Sequence, residues 1–524
     1  MEVKGSLDQL GVFATKTYAP GNVICEETEP LLRLAPTSTS QETSLIAEID
    51  TKGHSRKSNG SPKKNVVPSL WQSITVPSEI PDSYHGTFKG MVQAALSWKV
   101  LYQGKQHDAT KEKFLKLYSP SFKEPSKAEA VIVDVAKKAL KYLAHHGVVV
   151  TKTAEKDEND ELLLSVMLIW TCNSFEQGRV YGTISRINHS CNPNAIVQAD
   201  GEGQRIVAAA PIAVGDEISI SYLGMLLWAE RDVRREHLQQ TKHFICACMR
   251  CSDHTVPDLA AAVPCFQCHG RTGRQLDEDT QYDDDQKVNY VSPQYQKQQD
   301  DDGVDVYSCT TCNSRMLSND ETYAKYVTAG RKVAGKVTKF LQDYDVQRSR
   351  QGADEDDGDD DDDSEEVLDE MLDQHIRIAS SVLGAKHWTT NLLLLLQVDR
   401  SLQSLHGAML TADPKSSPPD LDSIAATVDN LERVVRFVQD LGLKLHMGHL
   451  VGDAIVGLAR ALVALGDTQS QTYAAEWLDK ISADYVQPFA SPGLKKVVES
   501  LKNAWQQKSD DRGMPTPPAK KTKR

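Results

Sequence analysis

Hydrophobic positions along this chain change their period several times, and each change marks a different kind of element. Residues 9 to 34 carry short apolar runs either side of Ala19-Pro20-Gly21-Asn22, which predicts short strands joined at a turn. Residues 37 to 66 are rich in Ser, Thr, Lys and Gly and predict a loop. From about 88 to 169 the period becomes helical, with Ile132, Val135, Ala136, Ala139, Leu140 and Leu143 on one face and Leu163, Val166, Met167 and Trp170 on another. Strand-like runs return in 195 to 223, where Ile206-Val207-Ala208 and the stretch 217 to 222 flank a turn at Val214-Gly215-Asp216. Four helical stripes follow near the C-terminus, beginning at Leu431, Val451, Ala474 and Leu494. Two helices thus recur about every 43 residues, a spacing that suits stacked helical hairpins. An ordinary helical bundle would show nearly the same stripes, so both packings stay open.

Composition narrows the class of protein. The 524 residues are 40% hydrophobic and 25% charged, enough for several packed cores. No apolar run approaches the roughly 20 residues of a membrane span, and the opening MEVKGSLDQL lacks the apolar stretch of a secretory signal. A protein of the cytoplasm or nucleus is expected, with no membrane partner. The net charge is −14, but eleven acids fall within residues 354 to 366, and the rest of the chain carries only −3. That tract reads as a self-repelling linker, with a docking site for basic partners such as histone tails as the other open reading. Nucleic acid is not expected as the main ligand.

The ten cysteines change the picture more than their number suggests. Eight lie between 191 and 312, whereas Cys25 and Cys172 stand apart and read as plain buried thiols. Without a secretory signal, clustered short spacings favour thiolate metal sites over disulfides. Cys246, Cys248 and Cys251 form a CxCxxC. Cys265-x2-Cys268 and Cys309-x2-Cys312 are two further CxxC knuckles, a quartet of the zinc-ribbon kind, with a redox pair as the alternative. The residues between these knuckles are acidic and polar and predict an exposed loop.

The densest motifs are Gly11-Val12-Phe13-Ala14, Asn173-Ser174-Phe175, the run from Ser185 to Asn194 containing Asn188-His189-Ser190-Cys191, the stretch from Gly215 to Tyr222 (GDEISISY), and Phe244 before CxCxxC. In this order they resemble the SET-domain protein lysine methyltransferases. The long segment splitting the motifs, the following cysteines and the C-terminal helices are similar to the SET-and-MYND (SMYD) branch. A MYND finger is not expected, because residues 35 to 170 contain no cysteine. The resemblance implies S-adenosylmethionine as cofactor, contacted by Gly11, Asn173, Asn188, His189, Tyr222 and Phe244, with Tyr222 as the catalytic tyrosine. It also brings Cys191 to Cys246, Cys248 and Cys251, completing a structural Cys₄ zinc site; the quartet Cys265, Cys268, Cys309 and Cys312 would be the second. Two positions depart from the family pattern. Gln9 stands where a glycine is usual, and Lys242 stands where many relatives carry a tyrosine lining the lysine channel.

The expectation is an α+β chain. Residues 1–36 would open a split β-rich SET domain, 37–169 form a loop and helical insertion, and 170–251 complete the SET core with its post-SET cysteines. A zinc-ribbon-like segment would span 252–318. A TPR-like helical domain would span 319–510 with the acidic linker at 354–366, and a basic tail 511–524, readable as a nuclear import signal or as a solvated end, would follow. The resemblance implies a monomeric protein-lysine N-methyltransferase acting on a histone or other protein. The alternative is a catalytically weak SET scaffold that binds other proteins through its helices.

Overall fold

A computed structural model of the chain describes residues 1–4, 11–34, 74–102, 108–148, 156–175, 178–200, 203–253, 258–265, 267, 294–299, 304–309, 312–317, 321, 328, 330–341, 362–410, 421–443, 447–465, 468–481 and 496–503. The expected loop at 37–66, Gln9, Cys268 and the basic tail lie outside these residues. The chain divides into two compact units, one comprising residues 1–222 and 236–246, the other 223–235 and 247–524.

The first unit holds two small sheets and a helical insertion. Strands β1 (Glu2–Lys4), β2 (Gly11–Phe13) and β3 (Val23–Glu27) come before the insertion; β4 (Asn188–His189), β5 (Ala195–Asp200), β6 (Gly203–Ala208) and β7 (Glu217–Ile220) come after it. One sheet runs β1-β2-β7-β4 and the other β3-β6-β5. Strands separated by more than 150 residues therefore pair directly, with Val12 opposite Ile218 and Val23 opposite Val207. The expected turn is present, as Asn22 donates to the Ala19 carbonyl and its own Oδ1 accepts from the Ala19 amide. β4 lies parallel to β7, whereas β7 pairs antiparallel with β2 on its other side, so the segment before Cys191 is threaded beside the strand that leads into Tyr222. Val12, Tyr181, Ile187, Ile206, Ile218 and Ile220 close the core between these strands.

The insertion is helical, as its period predicts: α1 (His85–Leu101), α2 (Asp108–Leu115), α3 (Ala130–His145) and α4 (Lys156–Asn173). Phe88, Met91, Leu96, Phe114, Leu143, Val166 and Met167 are buried among them. Side chains of this size each contribute roughly 1.5–3 kcal/mol when fully withdrawn from water. α1 meets α4 at Gly90, where a Cβ atom would stand 2.0 Å from the Trp170 ring. Only a residue without a side chain allows so close an approach.

The second unit contains a sheet of its own, β8 (Asp258–Pro264), β9 (Gln294–Gln299), β10 (Asp305–Cys309) and β11 (Arg315–Leu317), antiparallel in the order β11-β10-β9-β8. Where an exposed loop was expected between the knuckles, residues 294–299 form a strand. β9 reads Gln-Tyr-Gln-Lys-Gln-Gln, with no apolar alternation to announce it, and it is a strand because β8 and β10 pair with it on both sides. Beyond this sheet the unit is helical. Residues 330–341 form a helix. After them come α6 (Asp362–Val382), α7 (Trp388–Leu410), α8 (Leu421–Asp440), α9 (Met447–Leu465) and α10 (Thr468–Ile481), then a helix over 496–503. From α6 to α10 each helix packs on the next, and α7 also packs on α9. The predicted apolar stripes are buried at Leu431, Val434, Val438, Ile455, Leu458, Ala474 and Trp477. The last five residues of the acidic tract open α6 instead of extending the linker. Residues 354–361 lie outside the described residues.

Candidate functional site

The pairing of β2, β7 and β4 gathers the predicted residues of the first unit. Gly11 starts β2 where that strand passes close to two side chains. A Cβ atom there would stand 2.6 Å from Glu217 Oε1 and 3.1 Å from Asn188 Nδ2. Those two groups are themselves bonded, Asn188 Nδ2 donating to Glu217 Oε1 at 2.7 Å. A side chain at this position would press on a side-chain pair contributed by strands far away in sequence. Asn194 locks the same arrangement, donating from Nδ2 to the Glu217 carbonyl while its Oδ1 accepts from the Ser219 amide. Glu217 and Asn194 were not singled out from the sequence. Both lie inside the quoted motifs, but the signal lay in their spacing and not in their type.

His189 sits at the centre of the cluster. Its Nδ1 accepts from the Tyr222 backbone amide at 3.0 Å, and its Nε2 lies 3.3 Å from the Cys191 sulfur. Because Nδ1 is an acceptor, the ring proton of a neutral imidazole belongs on Nε2, aimed at that sulfur. The ring lies 5.3 Å from Tyr222 and 6.1 Å from Phe244, centroid to centroid. Phe244 is brought there by His243, whose left-handed backbone (φ 62°) ends the helix α5 (Arg231–Lys242) in the way a glycine commonly does. Tyr222 packs half-buried against the strand core, and its hydroxyl donates to the Ile187 carbonyl. Burial, with the Glu217 carboxylate as a second cause, pushes the phenol pKa up, so the hydroxyl stays protonated and remains a donor.

Asn173 is placed differently from its neighbours. It ends α4 with a buried amide whose Nδ2 donates to the carbonyls of Tyr118 and Ile169 at 2.7 Å each. Its own carbonyl accepts from the Ser185 hydroxyl, which ties the insertion to the segment leading into β4. Cys25 and Cys172 are half-buried, and burial raises both thiols to about 12, where they stay protonated and unreactive.

Two thiol clusters stand out among the described residues. Cys191, Cys246, Cys248 and Cys251 place their sulfurs within 4.8 Å of one another, with three of the four buried. A tetrahedral zinc with bonds of about 2.3 Å sets its sulfurs roughly 3.8 Å apart, and Cys191 and Cys246 are 4.0 Å apart. The Arg234 guanidinium, buried at 1% exposure, points Nη2 at the Cys251 sulfur from 3.8 Å. A buried cation beside a thiol is understandable when that sulfur carries negative charge, as a metal thiolate does. In the second cluster Cys265, Cys309 and Cys312 converge, Cys265 and Cys312 at 3.7 Å. The turn between β10 and β11 has the form of a metal knuckle, with the Cys312 amide directed at the Cys309 sulfur and Asn313 left-handed at φ 57°. Both donor sets fit zinc.

The SET domain family model matches residues 9–223. Human histone-lysine N-methyltransferase SMYD3 is 39% identical over 89 residues, 15% of this chain and 20% of that protein. A SET and MYND domain-containing protein of Dictyostelium discoideum is 31% identical over 167 residues, 30% of this chain and 37% of the relative. Histone-lysine N-methyltransferase SET5 of Saccharomyces cerevisiae is 33% identical over 102 residues, 19% of each chain. The matched stretches thus span between about a fifth and somewhat over a third of these relatives. This chain carries a SET domain and has relatives of the SMYD type, while the segment that splits its motifs offers no cysteines for a MYND finger.

Proposed function

Taking the chain as a SET-domain protein, we propose that it is a protein-lysine N-methyltransferase that moves a methyl group from S-adenosylmethionine to a lysine of a histone or another protein. The observation that supports this most is the convergence of Gly11, the Asn188–Glu217 pair, His189 and Tyr222 on the β2-β7-β4 strands. The residues suit such a cofactor. A carboxylate at Glu217 and aromatic rings at Tyr222 and Phe244 are complementary to a positively charged ligand that carries an aromatic ring. S-adenosylmethionine supplies, when bound, a methyl group activated on a sulfonium cation.

The chain's own part is binding, positioning and control of a proton. Gly11, Asn188, His189 and Phe244 would hold the cofactor, and Asn173, whose Nδ2 is engaged by the Tyr118 and Ile169 carbonyls, would contact it through its amide oxygen. Tyr222, protonated and fixed by the Ile187 carbonyl, would orient the reacting groups. The acceptor must be a neutral amine, yet only about one lysine in a thousand is neutral at physiological pH. Withdrawal from water beside half-buried aromatic rings favours the neutral form. Two zinc ions would hold the thiol clusters, with Cys268 as the fourth ligand of the second. Both would be structural, since four thiolates leave no open position.

Calorimetric titration of the zinc-loaded protein with S-adenosylmethionine tests this reading. Micromolar binding lost in Asn188→Ala is the expected result, and a well-folded wild-type protein that fails to bind overturns it. Tyr222→Phe should lower transfer to histones about a hundredfold, the scale of a misplaced reacting group, with cofactor affinity retained. A second reading, a weakly active scaffold that binds proteins through its helices, draws on one observation, the lysine seated against Tyr222. Cofactor binding without transfer to any protein would favour it.

A further inference from the structure

The lysine at position 242 carries an inference that rests on the functional reading above and goes beyond it. Lys242 is the last residue of α5, and the left-handed turn at His243 redirects the chain immediately after it. Its side chain is half-buried instead of extending into solvent. The amine Nζ lies 5.6 Å from the centroid of the Tyr222 ring. It also donates to the Cys172 carbonyl at 3.5 Å. The Tyr222 hydroxyl is itself fixed on the Ile187 carbonyl. An aromatic face and a backbone oxygen are the groups that recognise an alkylammonium: the ring attracts the cation through its quadrupole and the carbonyl accepts a hydrogen bond.

The electrostatics agree with that position. Burial pulls the Lys242 pKa down, the direction expected of an amine withdrawn from water. The neighbouring Cys172 thiol, held at about 12 by burial, brings no negative charge at neutral pH. The contact with the carbonyl and the ring therefore does not depend on a thiolate counter-ion.

We propose that Lys242 is a resident amine in the acceptor position, an intramolecular competitor that an incoming substrate lysine must displace. A lysine reaching Tyr222 would need the same carbonyl and the same ring, and two alkylammonium groups cannot share them. Binding of an acceptor then carries the cost of moving Lys242 aside. Only a substrate with enough contacts elsewhere would meet that cost, so Lys242 selects among substrates while the reacting groups stay as they are.

The test compares the full-length zinc-loaded protein with Lys242→Met, an unbranched neutral side chain of similar reach. Fluorescence anisotropy would follow binding of a histone H3 tail peptide and of the same peptide with its lysines acetylated. The expected result is unmodified peptide bound about tenfold more tightly by the variant, with the acetylated peptide unchanged. Lys127→Met removes an equal charge from an exposed position and should alter neither affinity. Equal affinity of the unmodified peptide for wild type and variant overturns the proposal. Equal tightening of both peptides also overturns it, since that would be a general charge effect. Lys242→Gln, which keeps a donor for the Cys172 carbonyl, serves if the methionine variant does not fold. Titration with S-adenosylmethionine alongside separates the two failures. Cofactor binding with unchanged peptide affinity sinks this inference alone, whereas no cofactor binding by either protein removes the functional reading and the inference with it.

Discussion

The two thiol clusters use the same chemistry for different ends. In the first, Cys191 follows directly on β4, and its sulfur meets the imidazole that also holds the Tyr222 backbone amide. Thiol cluster, strand and tyrosine are joined through one ring. In the second, Cys309 and Cys312 lie at the ends of β10 and its turn, Cys265 follows β8, and the sulfurs make polar contacts to Ser314 and to the turn itself. That cluster secures a sheet. The lesson is that a structural metal matters to chemistry only through what its ligands touch.

The difference can be broken by removing one ligand at a time. Cys246→Ser should have the largest effect: one zinc lost by elemental analysis and cofactor binding weakened at least a hundredfold, because binding energy of a structural zinc is folding energy for the segment that it pins. Retained cofactor affinity after loss of that zinc would dissolve the contrast. A smaller change sharpens it. His189→Leu keeps much of the volume but removes both hydrogen bonds, and partners of this kind typically carry ten- to a hundredfold in metal affinity or activity. We expect cofactor affinity to fall about tenfold while the zinc count stays at two. The smallest effect on cofactor binding belongs to Cys309→Ser. It should lose the second zinc and release amide protection over residues 305–317, yet leave calorimetric affinity for S-adenosylmethionine within about twofold. Wild-type protein that contains only one zinc would reject the second site outright.

Legibility in the sequence followed the range of the interaction. The helices of the insertion and the apolar stripes at Leu431, Ile455 and Trp477 could be read because helical burial repeats every three to four residues within one segment. Grouping Cys246, Cys248 and Cys251 needed only their short spacing, whereas Cys191, 55 residues away, joined them through the resemblance alone. β9 could not be read, since a polar strand held by two neighbours carries its reason in those neighbours. Lys242 was visible as a departure, but not the direction of its side chain.

By itself, then, the sequence determined the helical segments and their order, the motif residues proposed for the site and the chemistry of its thiols, all properties of residue type and local spacing. The tertiary structure alone decided that a side chain at Gly11 would press on the bonded Asn188–Glu217 pair. It also decided that His189 links Cys191 to Tyr222, and that Lys242 turns inward. Those outcomes depend on strands and helices that are distant along the chain and are brought together only by the threaded β4–β7 pairing and the turn at His243.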